Sequence, residues 1–187
     1  MKPTIKYGII FAFSWIIIKL SFLQFGWNSE NHYFVTACLN ILGLLLAIVF
    51  GLRAFIKTDK EEDSNALRDI KNAMTSAIIY SVFVALFIYI YYSSIDASFF
   101  DEKIAAVETQ LSEVISDPQR LKELKSSNEG FEVMTAQEIY DKQMENPKLL
   151  FSPKFVTTLS LLGMVFLSTL YSILVTIVFR KLFYKGR

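Results

Sequence analysis

Apolar residues in this chain neither alternate nor keep to one face of a helix. They run in four long blocks, at about residues 7–25, 33–52, 73–92 and 155–179. A helix crossing a hydrocarbon layer of roughly 30 Å needs about 20 such residues at a rise of about 1.5 Å each. Each block is long enough. The first is interrupted by one charge, Lys19, the second by one strongly polar side chain, Asn40, and the third and fourth hold no charge. A helix apolar on every face over this length needs lipid or a very large core around it, and four of them leave too little polar chain to cover them. The pattern predicts an all-α fold, an integral membrane four-helix bundle with a small helical external domain between spans three and four.

The chain then divides into residues 1–92, holding three spans and a polar loop at 53–72, a segment at 93–154, and residues 155–187 with the fourth span and a basic tail. In the middle segment Phe100, Ile104, Val107, Leu111 and Val114 recur at helical spacing and form one apolar seam. Asp117 before Pro118 reads as an N-cap with proline at the first helical position. Residues 126–130 read as a turn. Thr135 with Glu138 three residues on has the capping-box pattern and opens a third helix to about Glu145. So short a segment has a thin core, and its seam needs cover from its own helices, the membrane surface or another subunit.

Charge orients the spans. The amino terminus, the 53–72 loop and the tail together carry eleven Lys and Arg, whereas residues 93–154 hold seven basic and twelve acidic residues. Basic residues near span ends are retained on the cytoplasmic side. Both termini and the 53–72 loop are therefore expected in the cytoplasm and 93–154 outside. Trp27, Tyr33, Tyr91 and Tyr92 fall where the outer interface is expected, a level that amphipathic rings favour. Lys2 and Lys6 precede the first block as they would a secretory signal. Gln24-Phe25-Gly26-Trp27 offers no small-x-small cleavage site, so the block is expected to remain as a span.

Within lipid, helices associate through small residues and interhelical hydrogen bonds. Thr36, Asn40, Gly43, Ala47 and Gly51 share one face of the second span. Ala77, Ser81 and Ala85 do so in the third, and Ser168, Ser172 and Thr176 in the fourth, with Ser160 and Gly163 further out. The first span has Gly8 and Ala12. Four stripes for four spans favour packing within one chain over an oligomer seam. Lys19 and Asn40 are the intramembrane polar candidates. They lie at similar depth on antiparallel spans, so Lys19 is expected to donate to the Asn40 carbonyl, or to a water or headgroup between them, against the plainer reading of an interfacial lysine with no specific partner.

The 187 residues are 53% hydrophobic, with a net charge of +1. Cys38 is the only cysteine and His32 the only histidine, so no intramolecular disulfide and no multi-Cys/His metal site can form. Cys38 is expected to be a small packing residue and His32 an ordinary interfacial one. The acidic run Lys60-Glu61-Glu62-Asp63 reads as a solvated loop. No H-E-x-x-H, G-x-S-x-G, Walker or G-x-G-x-x-G pattern occurs. No carboxylate lies in any of the four blocks and no proline breaks one, against a proton relay or a broken-helix transporter. The flanking basic residues suit anionic headgroups rather than nucleic acid.

The opening Lys2-Pro3-Thr4-Ile5-Lys6-Tyr7-Gly8, the helical segment between spans three and four, and the re-entry Phe151-Ser152-Pro153 before a polar-spotted span and basic tail resemble an uncharacterised family of small bacterial membrane proteins known only as a domain of unknown function. The resemblance covers nearly the whole chain. It implies four spans in a bacterial cytoplasmic membrane, no assigned activity and no site residues. One departure is the turn at 126–130, where longer continuous helix would be expected. No catalytic residue, cofactor or metal is expected. The leading expectation is a non-enzymatic accessory or scaffold unit, partnered by the bilayer and by a membrane or periplasmic protein or a second copy met through the external helices. The alternative is an oligomeric transport or pore component with Lys19 and Asn40 on a polar path.

Overall fold

The computed structural model describes residues 1–25, 29–58 and 65–183, with the side chains at 29–32 and 183 left aside. Trp27, the side chain of His32, the 60–63 acidic run and the end of the basic tail lie outside the described residues. Seven α-helices follow in order: α1 (Pro3–Gln24), α2 (Ser29–Thr58), α3 (Ala66–Ile90), α4 (Ser98–Ser116), α5 (Pro118–Ser127), α6 (Ala136–Leu150) and α7 (Pro153–Phe183). A π-helical turn, Tyr91–Ile95, closes α3, and a 3-10 turn, Glu129–Phe131, separates α5 from α6. The described residues contain no strand. Four helices are long and apolar enough to cross a membrane: Pro3–Gln24, Tyr33–Thr58, Ala66–Ile95 and Pro153–Leu182.

Four of the helical starts have a local cause. Pro3 stands in the first turn of α1, where its missing N–H is no loss. The Asp117 carboxylate accepts from the backbone N–H of Gln119 and Arg120, with Pro118 opening α5. Thr135 and Glu138 form a reciprocal capping box at α6. Ser152 Oγ accepts from the N–H of Phe155, while Pro153 opens α7.

Two compact units result, Met1–Ile88 with Thr158–Arg187, and Tyr89–Thr157. The first is the bundle. Trp15 of α1 sits edge-on to Phe87 of α3, with centroids 6.0 Å apart, and donates its indole N–H to the Thr36 carbonyl of α2 at 3.0 Å. Leu44, Ala47, Ile48, Leu52, Ala73, Ala77, Tyr80 and Val84 are wholly buried. Leu159, Leu162 and Phe166 of α7 and Ile17 of α1 are well exposed on the outside, as lipid-facing residues must be.

The second unit is small and helical. In it α4 packs against α6 and α5, around Phe100, Phe131, Ile139 and Met144, all buried. Ile104, Val107, Leu111 and Val114 of the predicted seam are half-buried. The predicted turn at 126–130 ends α5, and the Asn128 side chain accepts from the N–H of Gly130 at 3.1 Å.

Four readings from the sequence change. Most of the 53–72 loop is helix, because α2 runs on to Thr58 and α3 begins at Ala66. Charged side chains there make contacts of their own, as the Arg68 guanidinium does over the Phe55 ring at 5.3 Å. Helix α6 passes Glu145 and extends through Pro147 to Leu150. Tyr91 and Tyr92 are buried rather than set out as interfacial rings, since Tyr92 stacks against Phe100 at 4.8 Å and Phe99 at 5.4 Å. Cys38 is exposed rather than packed, because the inward face of α2 is taken by Thr36 and Asn40.

Candidate functional site

Polar side chains converge inside the bundle along two helix faces. On α3, Asp69, Ser76 and Tyr80 are seven and four residues apart, which returns them to one side of the helix. On α7, Met164, Ser168, Ser172, Thr176 and Arg180 recur every fourth residue. At one end of this seam Arg180 donates from Nη1 to the Asp69 carboxylate at 2.8 Å. Asp69 is only 2% exposed, and burying a carboxylate to that degree is costly unless a cation and hydrogen-bond donors offset the lost water.

Further along, the Tyr80 hydroxyl points to α2. It lies 2.8 Å from the Asn40 amide oxygen and 3.0 Å from the Asn40 backbone carbonyl, its one proton shared between them. The Asn40 amide nitrogen faces the Met164 sulfur at 3.6 Å. One side chain thus links α2, α3 and α7. Ser168 returns its hydroxyl to the Met164 carbonyl one turn back, at 2.6 Å. The hydroxyls of Thr4, Ser76, Ser81, Ser172 and Thr176 are buried with no hydrogen-bond partner among the described residues.

Most of the small residues picked out from the sequence lie where these helices meet. A Cβ on Gly51 would fall 2.0 Å from Ser76 Oγ and 3.6 Å from the Thr4 Cα, so α1, α2 and α3 all close on that point. A Cβ on Gly43 would fall 2.6 Å from the Tyr80 hydroxyl. Ala47, Ala77, Ser81, Ala85, Ser168 and Ser172 are buried. Gly163 has nothing within 4 Å of where its Cβ would stand.

Lys19 is 5% exposed, held within the protein rather than at its lipid face. Asn40 is half-buried, and the groups it engages are Tyr80 and Met164 instead of the expected Lys19. The sequence reading missed Asp69, Tyr80 and Arg180. A signal for the last existed: the four-residue rhythm of Ser168, Ser172 and Thr176 continues directly onto Arg180. Asp69 and Tyr80 had none, because a carboxylate near a span end and a tyrosine within one are both common.

Chemically, the seam supplies hydrogen-bonding glue between helices. Among the described residues no three His, Cys, Asp or Glu side chains gather to hold a metal. In the second unit the carboxylates near α6 are committed to structure. Glu138 accepts from the Thr135 N–H and hydroxyl, which holds its carboxyl below the usual range. Glu108 of α4 accepts from the Tyr140 hydroxyl of α6, which raises the phenol. The same Glu108 borders an open groove of about 480 Å³ on α4, lined also by Ala105, Thr109, Ser112, Glu113 and Ser116.

A family model described as a protein of unknown function, DUF4199, matches residues 6–181. No curated protein and no solved structure matches the chain.

Proposed function

We propose, from the premise that the chain belongs to the DUF4199 family of unknown function, that it is a non-enzymatic accessory or scaffold unit of the bacterial cytoplasmic membrane. Both termini and residues 53–72 lie in the cytoplasm, and residues 93–154 lie outside. The charge distribution supports that orientation, since basic residues crowd the former segments and acids the latter.

The observation that carries the scaffold reading is the groove on α4. While α4 packs on α5 and α6, the groove presents small side chains (Ala105, Thr109, Ser112, Ser116) beside Glu113 and the Tyr140-bonded Glu108. Small residues let a second helix approach closely, and the acids favour one with basic flanks. The occupant is a partner protein or a second copy. A photo-crosslinker at Ser112 in native membranes should trap one constant product that Thr109→Trp removes. A crosslinker at Lys122 should not trap it. Absence of any protein adduct at Ser112 under all growth conditions would count decisively against the scaffold.

An oligomeric pore is the second reading, favoured by Lys19 and the buried hydroxyls. It requires water to enter a seam closed at Gly43 by the Tyr80 ring and at Gly51 by the Ser76 side chain and the Thr4 backbone. Purified protein in liposomes should then pass small ions, with selectivity altered by Lys19→Met; tight liposomes dispose of it.

A further inference from the structure

We propose that the groove between the start of α1 and the end of α2 seats the phosphodiester headgroup of an anionic phospholipid. The groove is open, about 190 Å³, and lined by Tyr7, Phe50, Arg53, Ala54 and Lys57. Arg53 and Lys57 stand one turn apart on the same face of α2. Both are exposed, no acid lines the groove with them, and neither makes an ion pair among the described residues.

Below the cations the wall is aromatic. Tyr7 and Phe50 stack with centroids 6.1 Å apart, and Phe11 lies 5.5 Å from Phe50 on the lipid side of the same pair of helices. Arg53 is the first charge after the apolar run of α2, and Tyr7 directly follows Lys6 on α1. The groove therefore lies at the level where hydrocarbon gives way to headgroups, whichever way the chain is oriented. A guanidinium fork can bind two phosphate oxygens and the ammonium a third, while the ring wall continues downward beside the first carbons of an acyl chain. A soluble phosphate would use the cations and leave that wall idle, which is why a lipid is the occupant.

Native mass spectrometry of the full chain in neutral detergent, with added dioleoylphosphatidylglycerol or dioleoylphosphatidylcholine, tests this. Wild type should retain one phosphatidylglycerol in preference to phosphatidylcholine. R53Q/K57Q should weaken that retention by about five-fold per cation removed. K122Q/K148Q removes the same charge from α5 and α6 and should leave retention unchanged. If R53Q/K57Q does not remain monodisperse, K57Q alone should show about a five-fold loss. Equal retention of the two lipids, equal loss in the control variant, or displacement of the lipid by millimolar inorganic phosphate would each overturn the assignment.

Discussion

Arg180, near the end of the last long helix, donates to the carboxylate of Asp69, near the start of the third, at 2.8 Å. The two residues are 111 positions apart in sequence. The pair is unequal, for Asp69 is almost wholly covered while the Arg180 side chain keeps 31% of its exposure. The carboxylate therefore depends on the guanidinium more than the reverse.

Removing the cation should accordingly be the costlier change. Arg180→Ala takes the guanidinium away from a buried carboxylate and is expected to destabilise the bundle by about 3 kcal/mol. An Asp69→Leu/Arg180→Met double variant, which removes both charges, should recover much of that loss. Unfolding of the purified protein in detergent, followed by circular dichroism, measures both. Equal stability of Arg180→Ala and wild type would show that the pair holds nothing together.

The glycines of α2 and α7 should respond in opposite ways to the same methyl group. Gly51→Ala drives a Cβ into Ser76 and should cost about 1–3 kcal/mol, the range for overpacking a filled interior. Gly163→Ala enters open space inside a helix and should stabilise by about 0.5–1 kcal/mol. Melting temperatures of the two variants side by side provide the comparison, and a reversed order would contradict the helix contacts.

Tyr80→Phe removes the hydroxyl that the Asn40 oxygens share. Hydrogen bonds between membrane helices contribute on average about 0.6 kcal/mol, so a loss of that order is expected, with no change in fold. Asn40→Ala should add on top of it only its own weak contact with the Met164 sulfur, because the bond to Tyr80 is already gone. Additive losses in a double-mutant cycle would mean that the two side chains are not coupled.

Acid should loosen the second unit first at α6. The Glu138 carboxyl is held low by its bonds to Thr135. Its contribution is therefore present above the ordinary glutamate range and lost as pH falls through the lowered folded-state value. Glu138→Gln should flatten this acid-dependent part of the profile, and Thr135→Ala should cost about 1 kcal/mol at neutral pH. Hydrogen exchange at the Glu138 amide, read across pH, reports it directly. An exchange rate that follows only the intrinsic pH dependence would deny the cap any role.

Some of this structure was legible one residue at a time. The four spans follow from local composition, because about 20 apolar residues in a row have one stable place to go. The starts of α5 and α6 follow from Asp117-Pro118 and from Thr135 with Glu138, since capping is settled within four residues of chain. The faces carrying Gly43, Ala47 and Gly51, or Ser168 and Ser172, follow from helical spacing alone.

Which face meets which helix is another matter, because spacing orients a stripe and does not choose its neighbour. Only the folded bundle sets Gly51 against both Ser76 and Thr4, turns Asn40 to Tyr80 and Met164 rather than to Lys19, and buries Asp69 beside Arg180. The reason is physical: hydropathy is a property of a segment. The partner of a polar group in lipid is decided by rotation and register between helices, which depend on all four at once.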